Sequence, residues 1–148
     1  MTTIAARFST REIAADSMVS GEGFHYSASK LRKKKSSIIG AAGEWHHVLE
    51  FYKRLQNKKS LDSDCDISAL ELRNDGIWVN ESTIIPTHIQ QDFFAIGSGS
   101  SYAIAAMHLG KSPKEAVEIA ALFDPSTRGP ITVMTLGRSG AIKSKSHG

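Results

Sequence analysis

Strand-like and helix-like periodicities alternate along this chain in an order that admits few folds. Thr3 to Phe8 and Glu12 to Ala15 read as two short strands joined by the polar turn Ser9-Thr10-Arg11, which is the pattern of a hairpin. Lys30, in "SASKLRKK", follows a glycine-containing polar loop and begins another strand-like segment. Trp45, Val48, Leu49, Tyr52 and Leu55 then recur at helical spacing, so Glu44 to Gln56 is expected to be a helix with that stripe in the core. After the turn-rich Asn57 to Asp66, Leu70 and Leu72 alternate with Glu71 and Arg73, Asp75-Gly76 gives a hairpin turn, and Ile77 to Asn80 returns. Phe93 to Ile96 continues the strand pattern.

Two helices follow back to back. Ser100 and Ser101 offer N-caps for the first, which runs through Leu109 and carries Ala103, Ala105 and Ala106 for close packing on a sheet. The second starts at Ser112-Pro113-Lys114-Glu115, where a capping serine precedes proline at the first helical position and glutamate three residues after the cap. It ends before Pro125. Ile131 to Leu136 reads as a last buried strand and Gly137 to Gly148 as a flexible basic tail. Two strand groups separated by helices make a mixed α and β domain.

At 148 residues, 41% hydrophobic and 22% charged, the chain suits one independently cored domain. It contains no apolar run of about 18 residues and no secretory h-region at its start, so a soluble, cytoplasmic protein without membrane partners is expected. Cys65 is the single cysteine, which rules out an intrachain disulfide and a cysteine metal cluster. It sits in the polar "LDSDCDI" connection with no base beside it, and is read as a structural or incidental thiol.

The start of the chain carries the chemistry. Removal of Met1, which a small second residue favours, leaves Thr2 with a hydroxyl and a free α-amine on one residue. An α-amine has an unperturbed pKa of about 8, so it can take the hydroxyl proton at physiological pH. A hairpin brings Asp16, in "EIAADS", back alongside Thr2. An amine from Lys30 held between Thr2 and Asp16 would be charged, fixed in place and able to stabilise the deprotonated threonine.

Thr2, Asp16 and Lys30, together with "IIGAAGE" and "AIGSGSSYA", resemble the proteasome β-subunit family of N-terminal nucleophile hydrolases, and within it the bacterial HslV-type peptidase. The likeness runs in order from Thr2 to about Leu136. It implies an α+β fold, a four-layer αββα sandwich, with residues 1–136 as a proteasome-like peptidase domain. It further implies Thr2 as nucleophile and α-amine base, Lys30 as electrostatic activator and Asp16 as the partner orienting that lysine. Gly43 matches the glycine whose N–H helps form the oxyanion hole, while Ser98, Asp124 and Thr127 match polar groups supporting the terminal amine and its water.

The activity implied is threonine-dependent hydrolysis of unfolded polypeptides through an acyl-enzyme, with no metal or organic cofactor. The implied assembly is a homo-oligomeric double ring of hexamers or heptamers, fed by an AAA+ ATPase unfoldase. The chain departs from the pattern in four ways. Its first hairpin and the loop before Lys30 are each about two residues shorter; Arg128 replaces the usual glycine beside Thr127; Glu44 follows Gly43; and the first long helix and the C-terminal portion are shortened. Arg128 and Glu44 would narrow or charge the pocket, which leaves a catalytically silent ring protein as one alternative. A small-molecule amide hydrolase of the same superfamily is the other.

Three further features have ordinary readings. "GSGSSY" at Gly97 to Tyr102 lacks the third glycine and the Gly-Lys-Ser/Thr ending of a phosphate-cradling loop. Lys30, Arg32, Lys33, Lys34 and Lys35 form a basic run, joined by the "KSKSH" tail, but the net charge is only +3 and no aromatics interleave, so a solvated strand face and tail are expected and no nucleic-acid partner. His46, His47 and Glu50 lack a second histidine at four-residue spacing and are read as exposed polar positions.

Overall fold

A computed structural model of the chain describes residues 2–21, 23–57, 66–81, 86–137 and 142–147. Met1 and Cys65 lie outside the described residues. In chain order the elements are β1 (Thr3–Arg7), β2 (Glu12–Ala15), β3 (Met18–Gly21), β4 (Phe24–Ser27), β5 (Leu31–Lys33), β6 (Ile38–Gly43) and α1 (Trp45–Gln56). They continue with β7 (Ile67–Arg73), β8 (Gly76–Glu81), β9 (Thr87–Ile89), β10 (Phe93–Gly97), α2 (Ser100–His108), α3 (Pro113–Phe123), β11 (Ile131–Leu136) and β12 (Ile142–His147).

Two five-stranded sheets result, ordered β10-β1-β2-β11-β12 and β5-β6-β7-β8-β9, with β3 and β4 as a separate two-stranded ribbon. Each strand pair is antiparallel. Alternation along β1 sends Ile4 and Ala6 to one face and Ala5 to the other. Ile4, Ala6, Ile13 and Ala15 of the first sheet pack with Leu31, Ile38, Leu70, Leu72 and Ile77 of the second, making an apolar layer between the sheets. Each fully buried leucine or isoleucine there contributes roughly 1.5–3 kcal/mol.

The opposite face of the first sheet is built small. Ala5, Ala14 and Ala95 meet Ala103, Ala106 and Ala116 of α2 and α3, so the helices lie close to the strands, as the alanine pattern of α2 predicts. Against the second sheet, Val48, Phe51 and Tyr52 of α1 pack on Ile39, Ala41, Ile67 and Ala69.

Several elements differ from the sequence reading. Leu49 is 45% exposed and Phe51 is fully buried in its place, because α1 turns its Val48–Phe51–Tyr52 face to the sheet. Gly99 caps α2 without a side-chain bond, and Ser100 is already helical. The β7–β8 register pairs Arg73 with Gly76, so Asn74 and Asp75 form the turn and Gly76 opens the returning strand. Beyond β11, Ile142–His147 is a strand and not a tail: β12 pairs along the whole of β11, from Leu136↔Ile142 to Ile131↔His147. That pairing satisfies the backbone groups of an otherwise open edge, and Ile142 packs against the layer between the sheets. The capping box at Ser112 is formed as predicted, with both reciprocal bonds to Glu115 and Pro113 in the first turn.

This framework carries the residues named from sequence to one end of the two sheets. Thr2 precedes β1, Asp16 follows β2, Lys30 precedes β5, Gly43 ends β6, and Ser98 follows β10.

Candidate active site

Thr2 has the same strand parity as Ile4 and Ala6, which directs its side chain to the crevice between the sheets. Asp16 extends the β1–β2 register to lie opposite Thr3: its N–H donates to the Thr3 carbonyl (3.3 Å) and the Thr3 N–H donates to its Oδ1 (3.2 Å). The same Oδ1 accepts the Thr2 hydroxyl and the Lys30 ammonium, the latter at 3.0 Å. Lys30 Nζ also donates to Thr2 Oγ1 at 2.7 Å. Thr2, Asp16 and Lys30 are therefore in mutual contact, although 14 and 28 residues of sequence separate Thr2 from its partners. They are 3%, 1% and 3% exposed.

Burial pulls the Lys30 ammonium below the ordinary lysine value, opposed by the charge and hydrogen bond of Asp16. An amine poised in this way is a strong local field acting on one hydroxyl oxygen, with little solvent to screen it.

A second polar group meets the same strand end from the other side. Asp124, the C-cap of α3, accepts Ser98 Oγ and Thr127 Oγ1 on Oδ2, each at 2.6 Å, and the Ser126 N–H on Oδ1 at 3.1 Å. Partial burial works to raise its pKa, but these hydrogen bonds outweigh it and hold the carboxyl below its ordinary value. Ser98 Oγ reaches the Thr2 carbonyl at 3.4 Å, and Thr127 Oγ1 lies 2.6 Å from Thr3 Oγ1. Ser98 and Thr127, both bonded to Asp124, thus hold the Thr2 carbonyl and the Thr3 hydroxyl, while Asp16 and Lys30 hold the Thr2 side chain.

Two glycines are fixed by this arrangement. Gly97 has φ +99°, and a Cβ there would overlap the Thr2 carbonyl. Gly43 has φ +142°, with the Asp66 carbonyl 2.9 Å from where a Cβ would lie. A side chain at either position is excluded by backbone conformation as well as by space. Gly43 shares with Thr2 and Lys30 a cavity of about 300 Å³, also lined by Glu44, Trp45 and Val48. A neighbouring cavity of about 480 Å³ includes Gly43 and Glu44 and extends to Gly97 and Ser100. Glu44 therefore borders the space beside Thr2, as its position in the sequence suggests. Arg128 does not line that cavity; its N–H donates to Asp16 Oδ2 (3.1 Å) and its carbonyl accepts from Ser17 and Met18 (3.2 and 3.1 Å).

The backbone donors of Thr3, Ser126 and Arg128 were not read from the sequence. Every residue except proline carries an N–H, so no residue type marks one that points at a carboxylate. Thr3 had a usable signal in its hydroxyl, placed by strand alternation on the face opposite Thr2. Among the described residues no group of three or more His, Cys, Asp or Glu side chains is arranged to hold a metal ion. No helix among them is long and apolar enough to cross a membrane.

No family model matches the chain, and no curated protein matches it. Solved structures do. BPH of Thiobacillus denitrificans in complex with epoxomicin aligns over 92% of this chain and 100% of its own, at 20% identity and a TM-score of 0.72. A second structure of BPH from the same organism aligns over 92% of this chain and 98% of its own, at 20% identity and a TM-score of 0.64. Eukaryotic HslV from Trypanosoma brucei aligns over 98% of both chains, at 19% identity and a TM-score of 0.70. The likeness covers nearly the whole of each molecule, and the chain has the α+β, proteasome-like fold of the HslV type.

Proposed function

We propose that the protein is a threonine peptidase of the proteasome-like, N-terminal nucleophile type, hydrolysing peptide bonds of unfolded polypeptides. The observation that carries this reading is the buried Lys30 ammonium donating to Thr2 Oγ1 at 2.7 Å, at the head of a central strand. After removal of Met1, the Thr2 α-amine takes the hydroxyl proton as Oγ1 attacks the scissile carbonyl. Lys30 stabilises the developing alkoxide, and Asp16 holds Lys30 in register. The Gly43 N–H, on the wall of the same cavity, stabilises the oxyanion, an effect typically worth roughly 100 to 1,000-fold in rate. The protonated amine then delivers its proton to the leaving nitrogen, leaving an ester on Thr2. Water attacks that ester in the second half-reaction, with Ser98, Asp124 and Thr127 holding the amine and the solvent. The residues alone suffice for these steps, without a metal or organic cofactor.

The layer between the sheets and the helices packed outside each of them support a four-layer αββα arrangement. HslV-like architecture extends the proposal to a cytoplasmic homo-oligomeric double ring, hexameric or heptameric, that encloses the Thr2 residues and is supplied by an AAA+ unfoldase. Glu44 beside Gly43 is the observation that favours the second reading, a silent ring protein with a spoiled oxyanion site.

The test is intact-mass and peptide-mapping spectrometry after treatment with a peptide epoxyketone, the class to which the epoxomicin bound in the Thiobacillus structure belongs. Loss of Met1 with one adduct on Thr2 is the expected result, and Thr2→Ala should abolish both adduct and peptide cleavage. Loss of Met1 with no adduct would favour the silent ring, whereas an adduct without peptide cleavage would favour a small-molecule amidase. A fully active Thr2→Ala variant would sink the mechanism.

A further inference from the structure

We propose that Tyr52, with Arg32 stacked on its ring, is a positioning residue that sets the Lys30 backbone against the strand bearing Gly43. This inference rests on the peptidase reading of Thr2 and Lys30.

Strands β5 and β6 pair at Lys33↔Ile38, Arg32↔Ile39 and Leu31↔Gly40. One step further the register would bring Lys30 opposite Ala41, and there a side chain enters. The Tyr52 hydroxyl, from α1, accepts the Ala41 N–H at 2.9 Å and donates to the Lys30 carbonyl at 2.5 Å. Tyr52 is 8% exposed, and burial pushes its hydroxyl up to about 12, so it stays protonated and able to donate across the physiological range.

Arg32 completes the arrangement. Its guanidinium carbon lies 4.4 Å from the centre of the Tyr52 ring, and its Nη1 donates to the carbonyls of Ser29 (2.7 Å) and Leu31 (3.1 Å). The three successive carbonyls of Ser29, Lys30 and Leu31 are thereby each held by a side chain. Packing alone does not require this, because a phenylalanine would fill the same space in the apolar cluster with Phe51 and Val48. What the hydroxyl adds is a one-atom bridge between the residue that activates Thr2 and the strand that ends in Gly43. Lysine has a long flexible stem, so its ammonium is only as well placed as the backbone that launches it. Tyr52 lines neither cavity described above and so acts through Lys30 and not on substrate.

The experiment measures inactivation of the full-length assembled protein by a peptide epoxyketone, reading the saturating rate constant of Thr2 adduct formation separately from inhibitor affinity. Tyr52→Phe and Arg32→Ala are compared with the unaltered protein. In Tyr52→Phe the rate constant should fall about tenfold while affinity stays within about twofold, as expected when a reacting group is displaced slightly without loss of the binding surface. A purely structural role would reduce the fraction of labelled protein and leave the rate constant of the folded fraction unchanged, which would overturn the inference. Should Tyr52→Phe fail to fold, Arg32→Ala decides by the same measurement: a slower rate constant supports the inference and an unchanged one overturns it. An unaltered protein that forms no Thr2 adduct removes the peptidase reading itself, and this inference with it; adduct formation that neither variant slows removes the inference alone.

Discussion

Replacing Asp16 by asparagine should separate the electrostatic role of this carboxylate from its shape. Asp16 is 1% exposed and accepts from the Thr2 hydroxyl, the Thr3 N–H and Lys30 on Oδ1 and from the Arg128 N–H on Oδ2. Asparagine keeps one acceptor oxygen, so either the Arg128 N–H or the Thr3, Thr2 and Lys30 donors would face an amide NH₂. Lys30, itself 3% exposed, would lose its counter-charge. Breaking a buried ion pair from one side costs roughly 3–5 kcal/mol, which for a chain of this length lowers Tm by roughly 6–20 °C.

The loss should also depend on pH. Burial already holds the Lys30 pKa below the unfolded value of 10.5, and Asp16 opposes that shift. Without Asp16 the folded-state pKa drops further, so the unfolded chain binds more protons over a window that ends near 10.5 and begins lower than in the unaltered protein. Stability of Asp16→Asn therefore rises with pH inside that window, by at most about 1.4 kcal/mol per pH unit for one proton. Urea denaturation at pH 7 and pH 9, at matched protein concentration, measures both quantities. A loss below about 1 kcal/mol at pH 7, with the same deficit at pH 9, would refute the description of Asp16 and Lys30 as a buried, mutually dependent pair.

Gly97→Ala should destabilise the protein by roughly 2–5 kcal/mol, combining a positive-φ penalty with displacement of the Thr2 carbonyl. Denaturation titration measures this, and any folded variant should also lose reactivity at Thr2. Ser112→Ala removes the side-chain half of the α3 capping box and should cost about 1 kcal/mol. Its rate of Thr2 labelling should match that of the unaltered protein, since the Ser112 hydroxyl accepts from the Glu115 N–H within the first turn of α3.

Much of the fold was legible because local chemistry and global placement agree. The hairpin of β1 and β2, the helix cap at Ser112 and the strand at Ile131 each announce themselves through alternation or capping residues. What escaped the sequence was set by tertiary contact. Strand β12 holds Ile142 among lysines and serines, a pattern that looks like a tail until β11 supplies a partner. Glu71 reads as the solvent half of an alternating strand, yet it is 6% exposed because Ser37, Lys34 and Arg73 surround its carboxylate. Ser100 is not the cap because the helix begins one residue earlier, with Gly99 at the cap, where a Cβ would collide with the Thr3 hydroxyl. At the site, the side chains named from the sequence are those the fold gathers, while the backbone groups orienting them carry no signature in residue type.

Thr2 stands at the mouth of β1, which is flanked by β10 and β2 and sandwiched between two apolar layers. A side chain mounted there cannot be loosened without disturbing the interior, so its geometry is inherited from a heavily constrained part of the molecule. The cavity walls have a different origin: Met18 and Val19 come from the separate two-stranded ribbon, and Glu44 and Trp45 from a junction between strand and helix. Variation therefore has two unequal territories. Substitutions on the ribbon and the junction reshape the cavity wall, whereas those along β1 jeopardise the molecule as a whole.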